Sequence, residues 1–275
     1  LAAELTAFGA LYTTHLRSEF EPVLEAMDEA FLIGRQARVP VIISHLKCAG
    51  AGNWGRSPHL LAALEQAAKT HPVGCDCYPY AASSSTLDLK QVTDAFRITI
   101  TWSTPHPEMG GRDLQDIAGL WGVSLMDAAQ RLQPAGAVYY GMDESDVRRI
   151  LAHPLSMIGS DGLPDDPFPH PRLWGAFPRV LGHFSRDLGL FPLHTAVHKM
   201  SGLSAARFGL EGRGEIREGN WADLVLFDAA KVRDVADFNS PQQAAQGIDG
   251  VWVNGVLSYE NGVANGNRAG VFLPR

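Results

Sequence analysis

The feature that most constrains the fold of this chain is an alternation of short apolar runs with helical periodicity, at steps of roughly thirty residues. Residues 9–15 and 40–45 each form an apolar run of the length that a buried strand needs, and each ends on a histidine, His15 or His45. Between them, Pro22 stands where a first helical turn would begin, and apolar residues follow on one helical face. Those residues are Val23, Met27, Ala30, Phe31 and Gly34. This order predicts neighbouring parallel strands joined by a crossover helix.

The same alternation continues further along the chain. Residues 73–78 and 155–158 are two more candidate strands. Ser57 followed by Pro58 indicates a helix that starts with an N-cap and a proline at its first position, and Asp143 indicates another N-cap. The chain is therefore predicted to be an α/β protein with a parallel sheet, in which the carboxyl ends of the strands carry the chemistry. The residues at those ends are His15, His45, Tyr78 and Asp161.

A proline-rich loop follows the last of these candidate strands. A Gly-Ser-Asp-Gly sequence leaves Asp161 at the end of the strand, and Arg172 closes the loop. The prolines between and beyond them stiffen the segment, because each one fixes a backbone dihedral. They are Pro164, Pro167, Pro169, Pro171 and Pro178. A rigid loop with a carboxylate at one end and a guanidinium at the other indicates a site, although an Asx-type turn before a surface loop gives the same pattern.

Two regions break the alternation. The interval from Tyr80 to Asp143 is too long for a single crossover, and it contains a strand-like segment at 96–102 and a helix-like one at 125–133. We expect a small lobe there, lying over the site. After Gly209 the pattern changes to short strands separated by turns, which predicts a separate β unit. Its strands are predicted at 212–216, 222–228 and 250–255.

Charge and composition exclude several classes of function. The net charge of −7 and the lack of a basic stripe argue against a nucleic-acid partner. No apolar run approaches the ~18 residues of a membrane-spanning helix. The three cysteines, Cys48, Cys75 and Cys77, cannot all pair with one another, which favours a reducing compartment and hence a cytoplasmic protein. The chain starts without methionine or a signal-peptide pattern, so we expect it to be a portion of a longer polypeptide.

Histidines at two adjacent strand ends, facing an aspartate at a third, are suited to ligating a divalent metal such as zinc. A metal-bound water would then be the nucleophile, with Asp161 moving the protons. Either histidine taken alone is explained as well by a role in the core or in a loop. His194 and His198 have the spacing of a metalloprotease helix, but Thr195 stands where that helix carries glutamate, and we interpret both as ordinary helix residues.

Four segments of the sequence carry a resemblance to a known family. They are Thr14-His15-Leu-Arg17, Ser44-His45-Leu-Lys47-Cys48, Cys77-Tyr78-Pro-Tyr80 with the run that follows it to Thr86, and Gly159-Ser-Asp161-Gly with Pro169-His-Pro-Arg172. Together they resemble the N-acyl-D-amino-acid deacylases, or D-aminoacylases, of the amidohydrolase superfamily. The resemblance covers essentially the whole chain, and the last segment is its most specific part.

The resemblance implies a particular architecture and reaction. Residues 1–212 are expected to be the C-terminal half of a metal-dependent (β/α)8 TIM-like barrel, with an inserted small lobe at about 84–142. Residues 213–275 are expected to be a C-terminal β-sandwich segment. The implied cofactor is zinc, and the implied partners are small-molecule N-acyl-D-amino acids, hydrolysed to a carboxylate and a D-amino acid, with no membrane or nucleic acid involved.

The resemblance also implies a role for each site residue. His15 and His45 are expected to bind the tightly held zinc. Asp161 is expected to be the catalytic acid and base, and also to reach a second, weaker metal position. The group expected to hold the α-carboxylate of the substrate consists of Lys47, Tyr78, Ser84 and Arg172.

One departure from the family pattern leaves alternatives open. The family also uses a His-x-His pair on its first strand and a cysteine ligand, and both would precede Leu1. We therefore expect the missing N-terminal portion of the same enzyme to be a partner, and the isolated chain to bind zinc weakly and to be inactive. The alternatives are an inactive fragment without catalysis and a dihydroorotase- or hydantoinase-like cyclic amide hydrolase. Lys47, two residues after His45, is placed better for a substrate anion than for the carboxylated lysine of those enzymes.

Overall fold

Parallel and antiparallel sheets occupy different parts of the chain in the computed structural model, which describes residues 2–273. The strands are Tyr12–Thr14 (β1), Val41–Ile43 (β2), Val73–Cys77 (β3), Ser83–Thr86 (β4), Ile98–Ser103 (β5), Ala135–Tyr139 (β6), Ser156–Ile158 (β7), Leu224–Phe227 (β8), Ile248–Val253 (β9), Val256–Glu260 (β10) and Val263–Ala264 (β11). The α-helices are Val23–Ala37 (α1), Ser57–Ala68 (α2), Leu114–Trp121 (α3), Leu125–Leu132 (α4), Glu144–Ala152 (α5), Arg172–Arg179 (α6), Leu193–Met200 (α7) and Gly202–Phe208 (α8).

The parallel sheet has the order β1-β2-β3-β7 and confirms the predicted α/β alternation. Its register aligns Thr14 with Ile43 at one end of the sheet and Cys77 with Ile158 at the other. Helices α1 and α2 are the crossovers between the first three strands, whereas β7 follows only after an inserted segment and α5. Because all four strands run in the same direction, their carboxyl ends lie along one edge.

Helix α1 buries the face that the sequence predicts. Val23, Met27 and Phe31 on that face are buried in the main core. Gly34 packs closest to the sheet, since a Cβ built there would lie 2.1 Å from Cγ2 of Val41 on β2. Each large apolar side chain buried in this way contributes ~1.5–3 kcal/mol to stability. The helix is therefore packed closely against β2.

The interval between β3 and α5 folds around a core of its own. It contains an antiparallel sheet of order β4-β6-β5, and buried side chains of α3 and α4 join the same core as that sheet. The segments predicted at 96–102 and 125–133 correspond to β5 and α4. Ser124 caps α4, because its hydroxyl accepts a hydrogen bond from the backbone N–H of Asp127 at 3.1 Å. The domain boundaries assigned from the sequence stay a prediction.

The closing part of the described chain is an antiparallel sheet of order β11-β10-β9-β8. The strands predicted at 222–228 and 250–255 correspond to β8 and β9, but the strand predicted at 212–216 is wrong. Gly212 and Gly214 have φ angles of 69° and 81°, which no extended strand can adopt. Ile216, which supplied much of the apolar pattern, is 89% exposed.

The two helix caps predicted from the sequence differ in outcome. Asp143 caps α5, because its Oδ1 accepts the backbone N–H of Ser145 at 2.9 Å. Ser57, by contrast, is the first residue of α2, and Arg56 occupies the cap position. Ser57 is buried, and its backbone N–H donates to Oδ1 of Asp146 at 3.2 Å, so it joins α2 to α5.

Pro178 lies inside α6. Its assignment from the sequence to the stiffened proline-rich segment is therefore wrong. The helix continues beyond it as a π-helix over Val180–Asp187. A proline inside a helix removes one backbone donor and crowds the preceding turn, which favours an irregular continuation. Within the described range 2–273, none of the helices is both long enough and apolar enough to cross a membrane.

Candidate active site

The carboxyl edge of the parallel sheet brings the two strand-end histidines together. His15 directly follows β1, His45 follows β2, and Nδ1 of His15 lies 3.1 Å from Nε2 of His45. In a tetrahedral zinc site with Zn–N bonds of about 2.0–2.1 Å, two nitrogen ligands are about 3.3 Å apart. Burial lowers the pKa of His15, which favours the neutral imidazole that a metal requires. The pair therefore has the spacing of two ligands of one zinc ion.

The backbone of His45 is held in a left-handed conformation with φ of 42°. Its N–H donates to Oδ1 of Asp76 on β3 at 2.9 Å. Burial raises the pKa of Asp76. A Cβ on Gly159 would lie 2.6 Å from the same Oδ1, so the glycine after β7 is needed to make room for this carboxylate. Three neighbouring strand ends therefore determine how His45 is presented.

Glu19, which the sequence analysis did not select, lies in the same place. Its Oε1 is 2.9 Å from Nδ1 of His45, 2.5 Å from Nζ of Lys47 and 3.9 Å from Nδ1 of His15. Burial alone would raise the pKa of Glu19, but Lys47 and His45 lower it to about 2. Among residues 2–273, the one group of potential metal ligands within 4.8 Å of one another is His15, Glu19 and His45. The position of Glu19 four residues after His15 was the available signal.

The side chains of Lys47 and His45 are in contact, although both residues lie beyond the end of β2. Its ammonium is 3% exposed and lies 2.7 Å from Nδ1 of His45, in addition to its contact with Glu19. It also lies 5.5 Å from the centre of the Tyr78 ring. The predicted carboxylate-binding lysine therefore already has a protein carboxylate beside it.

Asp161 and Arg172, at the two ends of the proline-rich loop, form an ion pair. Nη1 of Arg172 lies 2.8 Å from Oδ2 of Asp161. Asp161 is 34% exposed and has a left-handed φ of 49°, whereas Arg172 is 1% exposed. The loop therefore turns back and brings together two groups that the sequence had placed at opposite ends.

The guanidinium of Arg172 is anchored from two sides. Its Nη2 donates to the backbone oxygen of Ser84 at 3.2 Å, and its central carbon lies 4.6 Å from the centre of the Tyr78 ring. Three buried polar atoms here make no hydrogen bond to any residue in the range 2–273: Oγ of Ser84, Nε of Arg172 and Nη1 of Arg172. For Nη1, the ion pair with Asp161 is short but lacks hydrogen-bond alignment. All three atoms can therefore donate a hydrogen bond to a ligand.

Tyr78 lies between the two charged groups. Lys47 and Arg172 both lie over its ring, and its hydroxyl is 3.9 Å from Sδ of Met142. Burial raises the pKa of Tyr78 well above its ordinary value. The residue therefore remains a neutral phenol whose aromatic face contacts two cations.

His170 is a second residue that the sequence analysis quoted without assigning a role. Its Nδ1 accepts the backbone N–H of Arg172 at 3.0 Å, so Nε2 carries the proton and donates to the backbone oxygen of Ala82 at 3.1 Å. Burial lowers its pKa well below the ordinary value. The neutral ring thus fastens the start of α6 to the segment before β4. Its place between two prolines was the available signal.

The remaining histidines of the sequence argument lie elsewhere. His194 and His198 are on α7, where they line an apolar groove together with Ile216 and Val225. This placement agrees with their interpretation as ordinary helix residues.

Residues 1–259 match the sequence model of an amidohydrolase family, Amidohydro_3. The chain is 53% identical over 271 residues to the D-aminoacylase of Alcaligenes xylosoxydans xylosoxydans, a match that covers 98% of this chain and 56% of that protein. It is 49% identical over 265 residues to the N-acyl-D-aspartate deacylase of the same organism, covering 96% of this chain and 53% of that protein. The chain thus spans about half the length of these curated relatives.

A solved structure of a deacylase is also similar to this chain. The N-acyl-D-glutamate deacylase of Bordetella bronchiseptica, complexed with zinc and with a phosphonate inhibitor that mimics the tetrahedral intermediate of its reaction, superposes with a TM-score of 0.93. The sequence identity is 45%, and the superposition covers 97% of this chain and 56% of that one.

Proposed function

This chain belongs to the amidohydrolase family, and from that premise we propose that it carries the site of a zinc-dependent N-acyl-D-amino-acid deacylase. The observation that carries the proposal is the 3.1 Å separation of the imidazole nitrogens of His15 and His45 at the carboxyl edge of the sheet. Relatives with this chemistry match nearly the whole chain at 45–53% identity, which supports the same reaction and substrate class here. A cytoplasmic location stays part of the proposal.

The proposal includes the architecture. The parallel sheet is assigned to the C-terminal half of a (β/α)8 barrel, contributed by residues 1–212. The insertion at about 84–142 would be a lobe over its carboxyl edge, and residues 213–275 a β-sandwich segment. The sheet order and the superposition on the zinc-bound deacylase support this assignment.

His15 and His45 would hold the zinc ion. Bound there, zinc supplies a Lewis acid that polarises the amide carbonyl and lowers the pKa of water. Asp161 lies at the same edge and is partly exposed, so it is accessible to water and substrate. It would accept a proton from the attacking water and return it to the amide nitrogen, so that the D-amino acid leaves with a neutral amino group.

The substrate's α-carboxylate would bind to the donors around Arg172. Nε and Nη1 of Arg172 and the Ser84 hydroxyl are buried donors without a hydrogen-bond partner among residues 2–273, and the guanidinium contacts the face of the Tyr78 ring. Lys47, which also lies near the Tyr78 ring, adds positive charge that its contact with Glu19 reduces. With the carbonyl held at the zinc site, the carboxylate at Arg172 and the side chain against the inserted lobe, three substituents of the α-carbon would be fixed, which is how the site would select the D enantiomer.

The test is hydrolysis of N-acetyl-D-methionine, N-acetyl-L-methionine and a hydantoin by the zinc-loaded full-length protein, that is, this chain together with the N-terminal portion proposed to complete its zinc site. The released amine or acid is quantified. We expect cleavage of the D substrate, at least a hundredfold slower cleavage of the L substrate, and loss of activity after chelation. Equal cleavage of both enantiomers would contradict the proposal. Preferential opening of the hydantoin would favour a cyclic amide hydrolase instead.

A further inference from the structure

We propose that Glu19 is a positioning residue for the metal site: it acts through His45 and Lys47 and is not itself a metal ligand. The inference rests on the zinc site of the proposed function. It concerns a residue that lies within reach of both histidines and has the chemistry of a ligand, so its role must be decided by geometry.

The two ring nitrogens of His45 face different neighbours. Nε2 faces Nδ1 of His15 at 3.1 Å, and Nδ1 faces Oε1 of Glu19 at 2.9 Å. The two nitrogens of one imidazole point in diverging directions, so a metal on the Nε2 side does not lie on the Nδ1 side. Glu19 therefore occupies the position of the outer carboxylate in a carboxylate–histidine–metal arrangement. Its longer distance of 3.9 Å to His15 agrees with this placement.

The tautomer of His45 connects Glu19 to metal binding. A neutral imidazole whose Nε2 lone pair faces a metal must carry its hydrogen on Nδ1. That N–H can donate to Glu19, but Nδ1 is then unable to accept a hydrogen bond from the ammonium of Lys47, which lies only 2.7 Å away. The opposite tautomer would accept from Lys47 and turn an N–H toward His15. Lys47 and the metal thus compete for the state of the His45 ring.

Glu19 resolves this competition in favour of the metal. It accepts the His45 N–H and at the same time holds the Lys47 ammonium at 2.5 Å, so the lysine has a charged partner other than the ring. Both contacts are largely shielded from solvent, since the side chains of Glu19 and Lys47 are 13% and 3% exposed. A buried ion pair is weakly screened, and loss of its acid leaves the ammonium without compensation.

The first measurement is zinc affinity by competition with a chelator, made on the same full-length protein as the activity test, in the wild type and in Glu19→Gln. The substitution keeps the volume and a carbonyl acceptor but removes the charge that holds Lys47. We expect zinc affinity to fall by ~10–100-fold, the range found when an outer partner of a metal-bound histidine is removed. Glu29→Gln is the matched control: Glu29 pairs with the exposed Arg17, and we expect its loss to leave zinc affinity unchanged.

The second measurement separates positioning from ligation. In the double variant Glu19→Gln with Lys47→Met, the competing ammonium is gone and the introduced amide oxygen can still accept the His45 N–H, so we expect most of the lost affinity to return. The absorption spectrum of the cobalt-substituted protein should be the same in the wild type and in both variants, because the donor set is unchanged. A double variant that stays as weak as Glu19→Gln, or a cobalt spectrum altered by Glu19→Gln, would make Glu19 a ligand and overturn the inference.

These readouts do not depend on the substrate. If the protein fails to cleave N-acyl-D-amino acids but shows the expected pattern of zinc affinities, the proposed reaction is wrong and the role of Glu19 stands. Unchanged zinc affinity in Glu19→Gln would refute the role of Glu19 and leave the reaction intact. A wild-type protein that binds no zinc would refute both.

Discussion

The two edges of the parallel sheet each bury a lysine, and the surroundings of the two lysines differ. At the carboxyl edge, Lys47 lies against the carboxylate of Glu19 and the ring of His45. At the amino edge, Lys199 of α7 donates to the backbone oxygens of His153, at 2.5 Å, and Ser156, at 2.9 Å. Burial lowers the pKa of Lys199 to about 8.

The difference separates a site from a structural contact. Around Lys47, the charged side chain of Glu19 and the proposed zinc ligand His45 face one another, and the contacts of the ammonium are to side chains. Around Lys199, neutral carbonyls satisfy the ammonium and tie the end of α5 to the start of β7. Variants at the carboxyl edge should therefore change activity more than stability, and variants at the amino edge should do the reverse.

The largest expected effect is that of Asp161→Asn. Asparagine tolerates the left-handed backbone that Asp161 adopts, so the turn should survive while the proton acceptor is lost. We expect kcat to fall by at least ~10²–10⁴-fold, the usual contribution of a general base, with bound zinc and unfolding midpoint close to wild type. Asp165→Asn on the same loop is the control. A near-normal kcat together with lower stability would reduce Asp161 to a turn-forming residue.

The next largest effect is expected from Arg172→Ala. Charged hydrogen bonds of the kind proposed for the α-carboxylate contribute ~1.5–3 kcal/mol each, so kcat/KM should fall by roughly ten- to a hundredfold or more. Arg172→Lys should recover only part of this loss, because a single ammonium cannot reproduce the planar fork.

The decisive comparison for Arg172 is between substrates. An N-acetyl-D-amino acid and its carboxamide are compared in the wild type and in Arg172→Ala. We expect the carboxylate substrate to lose much more than the carboxamide, while zinc content stays the same. Equal losses on both substrates would show that Arg172 supports the fold of the loop and does not bind the carboxylate.

The contrast between His15 and Glu19 shows how much of the site can be predicted from the sequence. The two histidines could be placed together because parallel strands end at a common edge, which is a local rule applied to each strand. Glu19 lies in the loop after β1, where no periodicity fixes the direction of a side chain, and only the folded chain brings it to Lys47. The sequence analysis placed Asp161 and Arg172 in one site, but their direct ion pair depends on how the loop closes, which the sequence pattern does not specify.

The wrong prediction of a strand at 212–216 has a different cause. Its apolar pattern is weak evidence beside two glycines, and the left-handed φ angles of Gly212 and Gly214 decide the conformation. The anchoring of Arg172 also lay beyond the sequence, since the backbone oxygens of Ala82 and Ser84 that fix His170 and Arg172 are 88 residues distant in each case. Contacts of that range depend on how the insertion packs, which no local pattern encodes.

The amino edge is tested by Lys199→Met. The folded pKa of Lys199, about 8, lies below the ordinary value of 10.5, so between these values the unfolded chain binds more protons. The contribution of Lys199 to the unfolding free energy should therefore rise as pH increases from about 8 to about 10.5, by roughly 1–3 kcal/mol. Urea unfolding at several pH values should show this rise in the wild type and a flatter dependence in Lys199→Met. A variant with unchanged pH dependence and strongly reduced kcat would contradict the assignment of this edge to structure.

The smallest expected effect concerns the D-side chain, and it sharpens the contrast between buried and exposed lysines. A D-aspartate or D-glutamate substrate carries a second carboxylate, which needs a cation that is not already committed. Lys47 and Arg172 are buried and each contact a protein carboxylate. Lys90, at the entrance to the insertion, is the candidate cation that the sequence suggests. Lys90 is exposed, and the side chain of Asp88 accepts its backbone N–H at 2.9 Å, which places a negative charge beside it.

An exposed charge of this kind is worth ~0–1 kcal/mol, so Lys90→Ala should change kcat/KM by no more than about fivefold for any substrate. We therefore expect N-acetyl-D-methionine to be cleaved with a higher kcat/KM than the D-glutamate and D-aspartate derivatives, in the wild type and in Lys90→Ala alike. A profile led by either acidic substrate, and collapsing in Lys90→Ala, would instead place Lys90 in the side-chain pocket.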